Sequence, residues 1–397
     1  MSIRIQNFPK DLKNALKVLE ARKEAIEKAS PVPDPRDPVR ALADRLHPAS
    51  MEFIVEGVRL ASPTGRTYRL RSTDGHFPVF QAGQYLNLRL RIGESELTRP
   101  YTISSAPCEA LGEDGYVEIT VRRREGSFVP DWFFEHVQPG MRLQGNMPFG
   151  NFYWEPMRDS KNIVAVAGGS GITPFASMAR EIASGKMKDS RITILYGSVH
   201  SGDILLQREL REAERLSDGR VKVVHVFSDD PEGEGEHGFI SRALIEKHMG
   251  EDPSFMFCGP LPMYILLSGI MEEMGVTRRR FRHDVITQPA DAREIEGWPQ
   301  GNEEKSFKIT VVRGISETVI PASGSESVAV ALERAAIPVD THCRSGECGY
   351  CRTQLLRGTV FVPEAGDGRR YMDRELGWIH ACISYPTSDL RIRIPIL

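Results

Sequence analysis

The chain has 397 residues, 51 basic and 54 acidic side chains, a net charge of −3 and 40% hydrophobic residues. This length corresponds to roughly two to four domains. The balanced charge gives no electrostatic reason to expect nucleic acid or an anionic membrane as the main partner. No apolar run approaches the ~18 residues that a membrane span requires. The six cysteines are the most informative feature, because four of them lie in the last 55 residues.

The N-terminal segment is predicted to be an amphipathic helix followed by an extended linker. Its first 30 residues hold seven basic and four acidic side chains, too many acids for a transit peptide, and they contain no secretory signal. Its apolar residues recur with nearly helical spacing, which predicts the helix: Leu12, Leu16, Leu19 and Ile26. We favour packing of this helix on the body of the protein over docking of a partner. Prolines 31, 33, 35 and 38 predict the linker, so residues 1–50 form an N-terminal extension.

Residues 51–156 are predicted to form an antiparallel β-barrel, because short apolar segments alternate with Gly and Pro. The candidate strands are 53–55, 68–70, 85–90, 117–121 and 142–143. Cys108 lies in this segment and is expected to be a small buried hydrophobic residue.

Residues 157–288 change to an alternation of strands and helices, which predicts βαβ units and a parallel sheet. The candidate strands are 163–167, 192–196, 221–227 and 255–258, and the candidate helices are 174–182, 203–216, 240–249 and 261–274. The polar stretch 289–304 is predicted to be a linker. Residues 305–397 begin with candidate strands 307–312 and 318–320 and a short helix, 328–336, and then reach the cysteine cluster.

The cysteine cluster has the spacing C-x4-C-x2-C, with a fourth cysteine 30 residues further on. These residues are Cys343, Cys348, Cys351 and Cys382. The spacing is that of plant-type [2Fe–2S] proteins, in which four thiolates hold two irons. Gly346 and Gly349 permit the loop to curl and its amides to approach the sulfurs. A structural zinc site is the alternative, although zinc favours paired C-x2-C units and only one is present. Clustered thiols and no targeting segment predict a reducing, cytoplasmic location.

A glycine-rich turn joins the first strand of the 157–288 segment to its first helix. The turn consists of Gly168, Gly169, Ser170, Gly171, Ile172, Thr173 and Pro174. Glycines let a phosphate or a nicotinamide ring approach the backbone, and a helix N-terminus favours negative charge. The turn matches neither G-x-G-x-x-G nor the G-x-S-x-G nucleophile elbow. A tight strand–helix connection without a ligand explains these glycines equally well.

Two further motifs complete a recognisable order along the chain. Arg99-Pro100-Tyr101-Thr102 follows a β-rich segment, and Cys258-Gly259-Pro260 ends a later strand. With the glycine turn between them and the cysteine cluster last, residues 51–397 resemble the ferredoxin–NADP reductase superfamily. They are similar to the fused reductases of Rieske-type oxygenases, such as phthalate dioxygenase reductase and ketosteroid hydroxylase reductase. The resemblance implies a flavin-binding barrel, an α/β NAD(P) domain and an α+β plant-type ferredoxin domain.

The resemblance also implies roles for residues of the barrel. Arg99 would pair with a flavin phosphate, Tyr101 would pack on the isoalloxazine ring, and Thr102 would hydrogen-bond near flavin N5 and O4. Gly126 and Ser127 would offer backbone amides to a flavin phosphate. Val129 stands where relatives have a hydroxyl, which leaves the flavin type open; FAD is favoured over FMN.

In the α/β domain, the resemblance implies that residues 168–174 and 258–260 frame the nicotinamide, with Cys258 near the hydride-donating carbon. Ser198 could contact a 2′-phosphate, but no Arg stands in the usual place, so NADH is favoured over NADPH. His283-Asp284-Val285 replaces the usual acidic-x-aromatic element. Thr102 and Cys258 are the candidate catalytic residues.

The combined motifs predict an NAD(P)H-dependent oxidoreductase. A hydride would pass from NAD(P)H to flavin, and single electrons would pass to the [2Fe–2S] cluster and on to a partner protein such as a Rieske-type oxygenase. Supply of a non-oxygenase acceptor and reverse flow to NAD(P)+ are alternatives. A remote alternative is a non-enzymatic, zinc-containing interaction protein.

Overall fold

A computed structural model of the chain describes residues 8–29, 37–123, 126–286 and 291–395. The chain divides into two compact units, Met1–Leu46 and His47–Leu397. The first unit contains helices α1 (Phe8–Lys28) and α2 (Pro38–Leu46). The predicted N-terminal helix is therefore confirmed, and its four spaced apolar residues are about half exposed or more. Prolines 31, 33 and 35 fall outside the described residues. Pro38 begins a helix that the sequence did not predict.

The first sheet of the second unit is antiparallel. Its strands are β1 (Met51–Ser62), β2 (Gly65–Ser72), β3 (Tyr85–Ile92), β4 (Ser95–Thr102), β5 (Val117–Arg122) and β6 (Arg142–Phe149), in the order β4-β3-β6-β1-β2-β5. The expectation of an all-β segment was wrong at one point, because helix α3 (Phe128–His136) lies between β5 and β6. Phe133 of α3 is fully buried, and its ring packs edge-on against Tyr68 and Tyr101. This burial stabilises the helix within the barrel core.

The second sheet is parallel and has helices between its strands, as predicted. It contains β7 (Asn162–Gly168), α4 (Thr173–Ala183), β8 (Arg191–Ser198), α5 (Gln207–Leu216), β9 (Val221–Phe227), β10 (Glu236–His237), α6 (Arg242–His248), β11 (Pro253–Pro260), α7 (Leu261–Glu273) and β12 (Phe281–Ile286), with strand order β10-β9-β8-β7-β11-β12. The apolar runs of β7 and β11 are buried, which explains their continuous hydrophobicity. The carboxyl ends of β7, β8 and β11 form one edge of this sheet.

The third sheet belongs to the C-terminal segment. Its elements are β13 (Ser306–Arg313), β14 (Ser316–Ser323), α8 (Val328–Arg334), β15 (Arg352–Arg357), β16 (Val360–Phe361), α9 (Tyr371–Glu375), β17 (Trp378–His380), β18 (Tyr385–Pro386) and β19 (Leu390–Arg393), with the main order β14-β13-β19-β15-β17. β16 and β18 pair separately. Ser327 is the N-cap residue of α8, and its hydroxyl accepts a hydrogen bond from the Val330 amide.

The predicted linker 289–304 packs against its neighbours over its described part. The Trp298 ring packs edge-on against Phe361 and Tyr385 at 5.4 and 5.2 Å between centroids. Asn302 is buried, and its amide donates to the carbonyls of Gly324 and Pro386 at 2.9 Å. The segment is therefore packed against the C-terminal domain, mainly on the β16–β18 pair. Residues 289 and 290 lie outside the described residues.

Polar contacts join the first two sheets. Arg180 of α4 donates to the Glu118 carboxylate of β5 at 2.8 Å, and the Ser177 hydroxyl donates to the Ser105 carbonyl at 2.6 Å. Glu118 is almost completely buried and also binds Arg59 and Arg69. In the described part of the chain, no helix has both the length and the apolar character needed to cross a membrane.

Candidate functional site

A cleft of about 500 Å³ lies where the three sheets meet. Its walls come from β3 and β4 of the first sheet, from the strand ends and glycine turn of the second, and from the cysteine loop of the third. The predicted site residues among its lining are Arg99, Pro100, Tyr101, Thr102, Ser127, Thr173, Cys258 and Cys343. Folding therefore brings together motifs that are up to about 240 residues apart in the sequence.

Arg99 occupies the β4 wall of the cleft. Its Nη1 donates to both carboxylate oxygens of Glu333 at 3.1 Å and to the Thr98 carbonyl at 2.9 Å. Among the described residues, no group accepts a hydrogen bond from Nε or Nη2 of Arg99, and this side of the fork is the one that binds a phosphate in two-point fashion. Burial lowers the pKa of Arg99, and the neighbouring charge of Arg344 lowers it further. An anion at the open side would relieve that unfavourable charge.

Tyr101 and Thr102 follow Arg99 along the same wall. The Tyr101 ring packs edge-on against Phe133 at 5.3 Å, and burial raises the pKa of its phenol, which is therefore neutral. Thr102 pairs in register with Tyr85 of β3, whose ring also lines the cleft. Together these side chains can bound a planar aromatic ligand.

The start of α3 lies at the cleft beside these residues. Gly126 has φ +75°, which its lack of a side chain permits, and Ser127 is the N-cap residue of α3. The Ser127 hydroxyl caps no amide, so it stays available to a ligand. Glu125, which precedes them, lies outside the described residues. The first amides of a helix can bind an anion, which suits a flavin phosphate.

The glycine turn after β7 has a different physical basis from the one proposed first. A Cβ at Gly171 would lie 2.0 Å from the Cys258 carbonyl oxygen, so only glycine lets the turn pack on β11. A Cβ at Gly168 would lie 2.8 Å from both Met263 Sδ and Pro260 Cδ. Gly169 has φ +56°. These glycines serve a tight connection, while Ser170 and Thr173 of the same turn face the cleft.

The rest of the turn begins helix α4. Ile172 is fully buried, and Pro174 stands in the first turn, where its missing N–H costs nothing. The helix therefore starts at the carboxyl end of β7, where open α/β sheets bind their ligands.

Cys258 lies at the carboxyl end of β11 and lines the cleft. Burial raises the pKa of its thiol well above the usual range, and the neighbouring Asp284 raises it further, so the thiol is neutral. Asp284 is the register partner of Cys258 on β12. Burial also raises the pKa of Asp284, to about 6. Gly259 and Pro260 follow and lead into α7, outside the cleft lining.

Ser198 lies at the end of β8, away from the cleft lining. Its carbonyl accepts the amide of Ser228, and the Val199 carbonyl accepts the amide of Asp229, so the segments after β8 and β9 are adjacent. Asp230 accepts the Ser201 amide at 2.8 Å, and hydrogen bonds from Ser201 lower the pKa of this carboxyl. This edge of the sheet is therefore negatively charged.

The four cluster cysteines form two pairs. The Cys348 amide lies 3.3 Å from the Cys343 sulfur, and the hydrogen bond from the Cys348 thiol lowers the pKa of Cys343 to about 4. Cys351 and Cys382 are likewise within hydrogen-bond reach, and the contact lowers the pKa of Cys351. The first pair is the more exposed and includes the cleft residue Cys343; the second pair is buried.

This pairing suits two irons better than one zinc. A binuclear cluster instead needs two thiolates on each iron. The amide of Ser345 also points at the Cys343 sulfur, at 3.4 Å. A Cβ at Gly346, which has φ +82°, would lie 2.4 Å from the Gly366 carbonyl oxygen, so the curled loop requires this glycine.

Several cleft residues were missed from the sequence. Tyr85, Arg344 and Ser345 all line the cleft. Recognition of the β3–β4 hairpin would have placed Tyr85 opposite Thr102, since only Gly93 and Glu94 separate the two strands. Arg344 directly follows the cluster ligand Cys343, but its ion-pair partner Glu333 could not be inferred from the spacing of the sequence. Cys108 is only partly buried rather than fully buried as expected.

Three segments match known domain families. Residues 55–154 match the oxidoreductase FAD-binding domain, residues 165–268 the oxidoreductase NAD-binding domain, and residues 311–387 the 2Fe-2S iron-sulfur cluster binding domain. The cofactors are accordingly FAD, a nicotinamide nucleotide and a [2Fe–2S] cluster.

Curated relatives align with most of this chain. The glycine betaine monooxygenase reductase subunit of Chromohalobacter salexigens is 27% identical, over 79% of this chain and 87% of its own length. The ferredoxin reductase component of the 3-ketosteroid-9-alpha-monooxygenase of Mycobacterium tuberculosis is 27% identical, over 78% and 84%. The solved structure of phthalate dioxygenase reductase has the same fold, with a TM-score of 0.64 and 21% identity over 88% of this chain and 98% of that one. The chain is thus an NAD(P)H-dependent flavin and [2Fe–2S] oxidoreductase, and it belongs to the ferredoxin–NADP reductase superfamily, in the group that carries the ferredoxin domain at its C-terminus.

Proposed function

We propose that this reductase takes electrons from NADH and delivers them through its [2Fe–2S] centre to the oxygenase component of a monooxygenase or dioxygenase. The single observation that carries the proposal is the shared cleft, because residues of all three sheets line it. An arrangement that only stored a cofactor would need no such meeting point. Bound there, NADH would supply a hydride for FAD, and the [2Fe–2S] cluster would supply one-electron transfer to the acceptor.

The proposed domains are an FAD-binding domain, 51–156, a nicotinamide-nucleotide-binding domain, 157–288, and a cluster-binding domain, 305–397. Residues 289–304 connect the last two. Residues 1–50 precede them as a separate extension. In the first domain, the open side of Arg99 and the amides of residues 126–127 would hold a flavin phosphate. Tyr101 would pack on the flavin ring, and Thr102 would donate or accept a hydrogen bond at its edge.

The second domain would place the nicotinamide against the glycine turn and the end of β11, which pack on each other. Ser170, Thr173 and Cys258 would contact the ring, because all three line the cleft. The Cys258 thiol is neutral, so it would contribute shape and a weak donor rather than a base. Hydride transfer depends mainly on positioning, which such a side chain can supply.

The same domain favours NADH over NADPH. Residues 228–237 contain five acidic side chains and no Lys or Arg, and residues 197–203 contain no Lys or Arg either. Asp229 and Asp230 lie beside the end of β8 through their contacts with Val199 and Ser201. A ribose 2′-hydroxyl can donate to such carboxylates, whereas a 2′-phosphate would be repelled by them.

The third domain would bind the cluster through the four paired cysteines, with Cys343 and Cys348 towards the cleft. The proposal of an oxygenase acceptor is supported by the relatives, since both reductases from Chromohalobacter and Mycobacterium are named as components of monooxygenases. Supply of another acceptor and reverse electron flow are the outcomes that would replace it.

The test is anaerobic rapid mixing of the full-length holoprotein with NADH or NADPH. We expect loss of flavin absorbance followed by loss of cluster absorbance, with NADH preferred, and steady reduction of added cytochrome c. A sample that shows no flavin or [2Fe–2S] absorption, or that NADH does not bleach, would contradict the proposal. NADH-dependent turnover with a purified Rieske-type oxygenase tests the acceptor separately.

A further inference from the structure

A buried ion cluster connects the first sheet to the third sheet beside the cleft. Glu333 of α8 binds Arg99 of β4 with both carboxylate oxygens at 3.1 Å. The same carboxylate accepts from Arg344 of the cysteine loop, at 2.6 and 3.2 Å. The side chains of Glu333 and Arg344 are 5% and 8% exposed, respectively. One carboxylate therefore holds the strand predicted to bind FAD and the loop predicted to bind the cluster.

We infer that Glu333 is a positioning residue that docks the cluster domain on the flavin domain, and so sets the separation between FAD and the [2Fe–2S] centre. The inference rests on the proposed function, in which β4 binds FAD and residues 343–351 bind the cluster.

A second contact supports the same docking. Arg344 Nη1 also lies 3.4 Å from the Thr98 carbonyl of β4, which Arg99 contacts as well. On another part of the same loop, the His342 ring packs edge-on against Phe149 of β6, at 4.4 Å between centroids. The cysteine loop is thus held against the first sheet by an ionic contact and an aromatic contact. Two separate contacts fix orientation in a way that one cannot.

The charges of the cluster explain why docking need not compete with flavin binding. Two guanidinium groups and one carboxylate leave one net positive charge in a buried place. Glu333 uses only Nη1 of Arg99, and the side chain also lines the cleft. A flavin phosphate can therefore approach from the open side while Glu333 keeps its hold. A buried ion pair adds little net stability, but its geometry can specify one arrangement over others.

The inference predicts which step a substitution should affect. Glu333→Gln removes the charge that lies between two guanidinium groups, so Arg99 and Arg344 would repel each other and the loop would withdraw from β4. The first two sheets are joined by a separate contact, Arg180 with Glu118, so the placement of Cys258 relative to β4 should not require Glu333. We therefore expect bleaching of the flavin by NADH to stay within about twofold, and bleaching of the cluster to slow roughly 10- to 100-fold.

The experiment compares full-length holoproteins by anaerobic rapid mixing, with rates normalised to bound FAD and iron. A second readout is amide hydrogen exchange of residues 341–350, which we expect to become roughly 10- to 100-fold faster in Glu333→Gln. Glu326→Gln is the matched control, because Glu326 pairs with Arg334 within the same domain at 2.7 Å. The control should change neither quantity.

Glu333→Asp serves as the second variant and as the fallback if the Gln variant does not fold. It keeps the charge but is one methylene shorter, so we expect partial recovery of the cluster rate. Unchanged cluster bleaching and unchanged exchange in either folded variant would overturn the inference. Wild-type protein that shows no NADH-driven flavin bleaching would instead overturn the proposed function, so the two failures are distinguishable.

Discussion

The ion cluster between the FAD and NAD domains allows the loss of stability on substitution of Glu118 to be predicted in magnitude. Glu118 of β5 is 1% exposed and accepts from three arginines: Arg180 at 2.8 Å, Arg59 at 3.0 Å and Arg69 at 3.0 Å. Only Arg180 comes from the NAD domain. Glu118→Ala would leave these three guanidinium groups facing an empty buried position. Removal of one partner from a buried ion pair costs about 3–5 kcal/mol.

The structure places the expected loss at the lower end of that range. Arg59 and Arg69 are 26% and 40% exposed, so both can turn towards water. Arg180 is less exposed, but it keeps its second partner, Glu109. We therefore expect a loss of about 3 kcal/mol, which corresponds to roughly 6–12 °C in the unfolding midpoint of the FAD and NAD domain pair, residues 51–288.

Glu56→Ala is the matched control on the same sheet. Glu56 is 37% exposed and binds Arg71, so it is a surface ion pair that contributes about 0–1 kcal/mol. Unfolding is followed by the rise in FAD fluorescence as the flavin is released. Equal midpoints for the two variants would show that the buried contact does not stabilise the domain pair.

The pH dependence supplies an independent check on Glu118. Burial alone would raise its pKa, but the charges of Arg180 and Arg59 outweigh burial and lower the pKa below the ordinary value. A carboxyl with a lowered pKa in the folded state stabilises the fold above the unfolded value of about 4.3, and this contribution disappears as the pH falls. The midpoint difference between wild type and Glu118→Ala should therefore narrow below about pH 4. A difference that persists unchanged in acid would refute the electrostatic explanation.

Three further predictions concern the proposed site. Cys382→Ser should abolish the [2Fe–2S] absorption and the reduction of cytochrome c, but it should leave the reduction of ferricyanide by NADH unchanged. Cys108→Ser is the control and should change none of these three quantities. Loss of NADH-driven flavin bleaching in Cys382→Ser would argue against separate roles for the domains. Cys258→Ala should slow flavin bleaching by NADH about tenfold through lost positioning, with no change in its pH profile between pH 6 and 8, because the raised thiol pKa excludes a titrating base; a shifted profile would contradict this. Asp230→Arg should raise the preference for NADPH relative to NADH about tenfold, measured as the ratio of kcat/KM values, and an unchanged ratio would place the 2′-position elsewhere.

The sequence predicted correctly those parts of the fold that are determined by residues close together in the chain. The spacing C-x4-C-x2-C lies within nine residues, and the apolar run of β7 is followed directly by its turn and helix. Periodicity over such short segments is set by neighbouring residues, so it can be read without knowing the tertiary structure. The cofactors and the order of the domains followed from these local motifs together with their resemblance to a family.

The features that were missed depend on contacts between distant segments. The apolar side of helix α3 is buried only because β2 and β4 bring Tyr68 and Tyr101 against it. Residues 289–304 have a linker's composition, but Trp298 finds an aromatic pocket about 60 to 90 residues further along the chain. Glu333 is 234 residues from Arg99, and nothing in the spacing of the two indicates that they meet. Such pairings are decided by how the domains dock, which periodicity does not report.

Gly171 distinguishes between the two explanations that the sequence offered for the glycine turn. The glycines could either let a ligand approach the backbone or form a tight strand–helix connection without a ligand. In the structure, Gly171 instead admits the backbone of Cys258, whose carbonyl oxygen would lie 2.0 Å from an added Cβ. That contact holds the turn against the end of β11 and so brings Ser170, Thr173 and Cys258 to one cleft. The glycine is therefore required at this position because it joins two walls of the cleft, whether or not it touches a nucleotide.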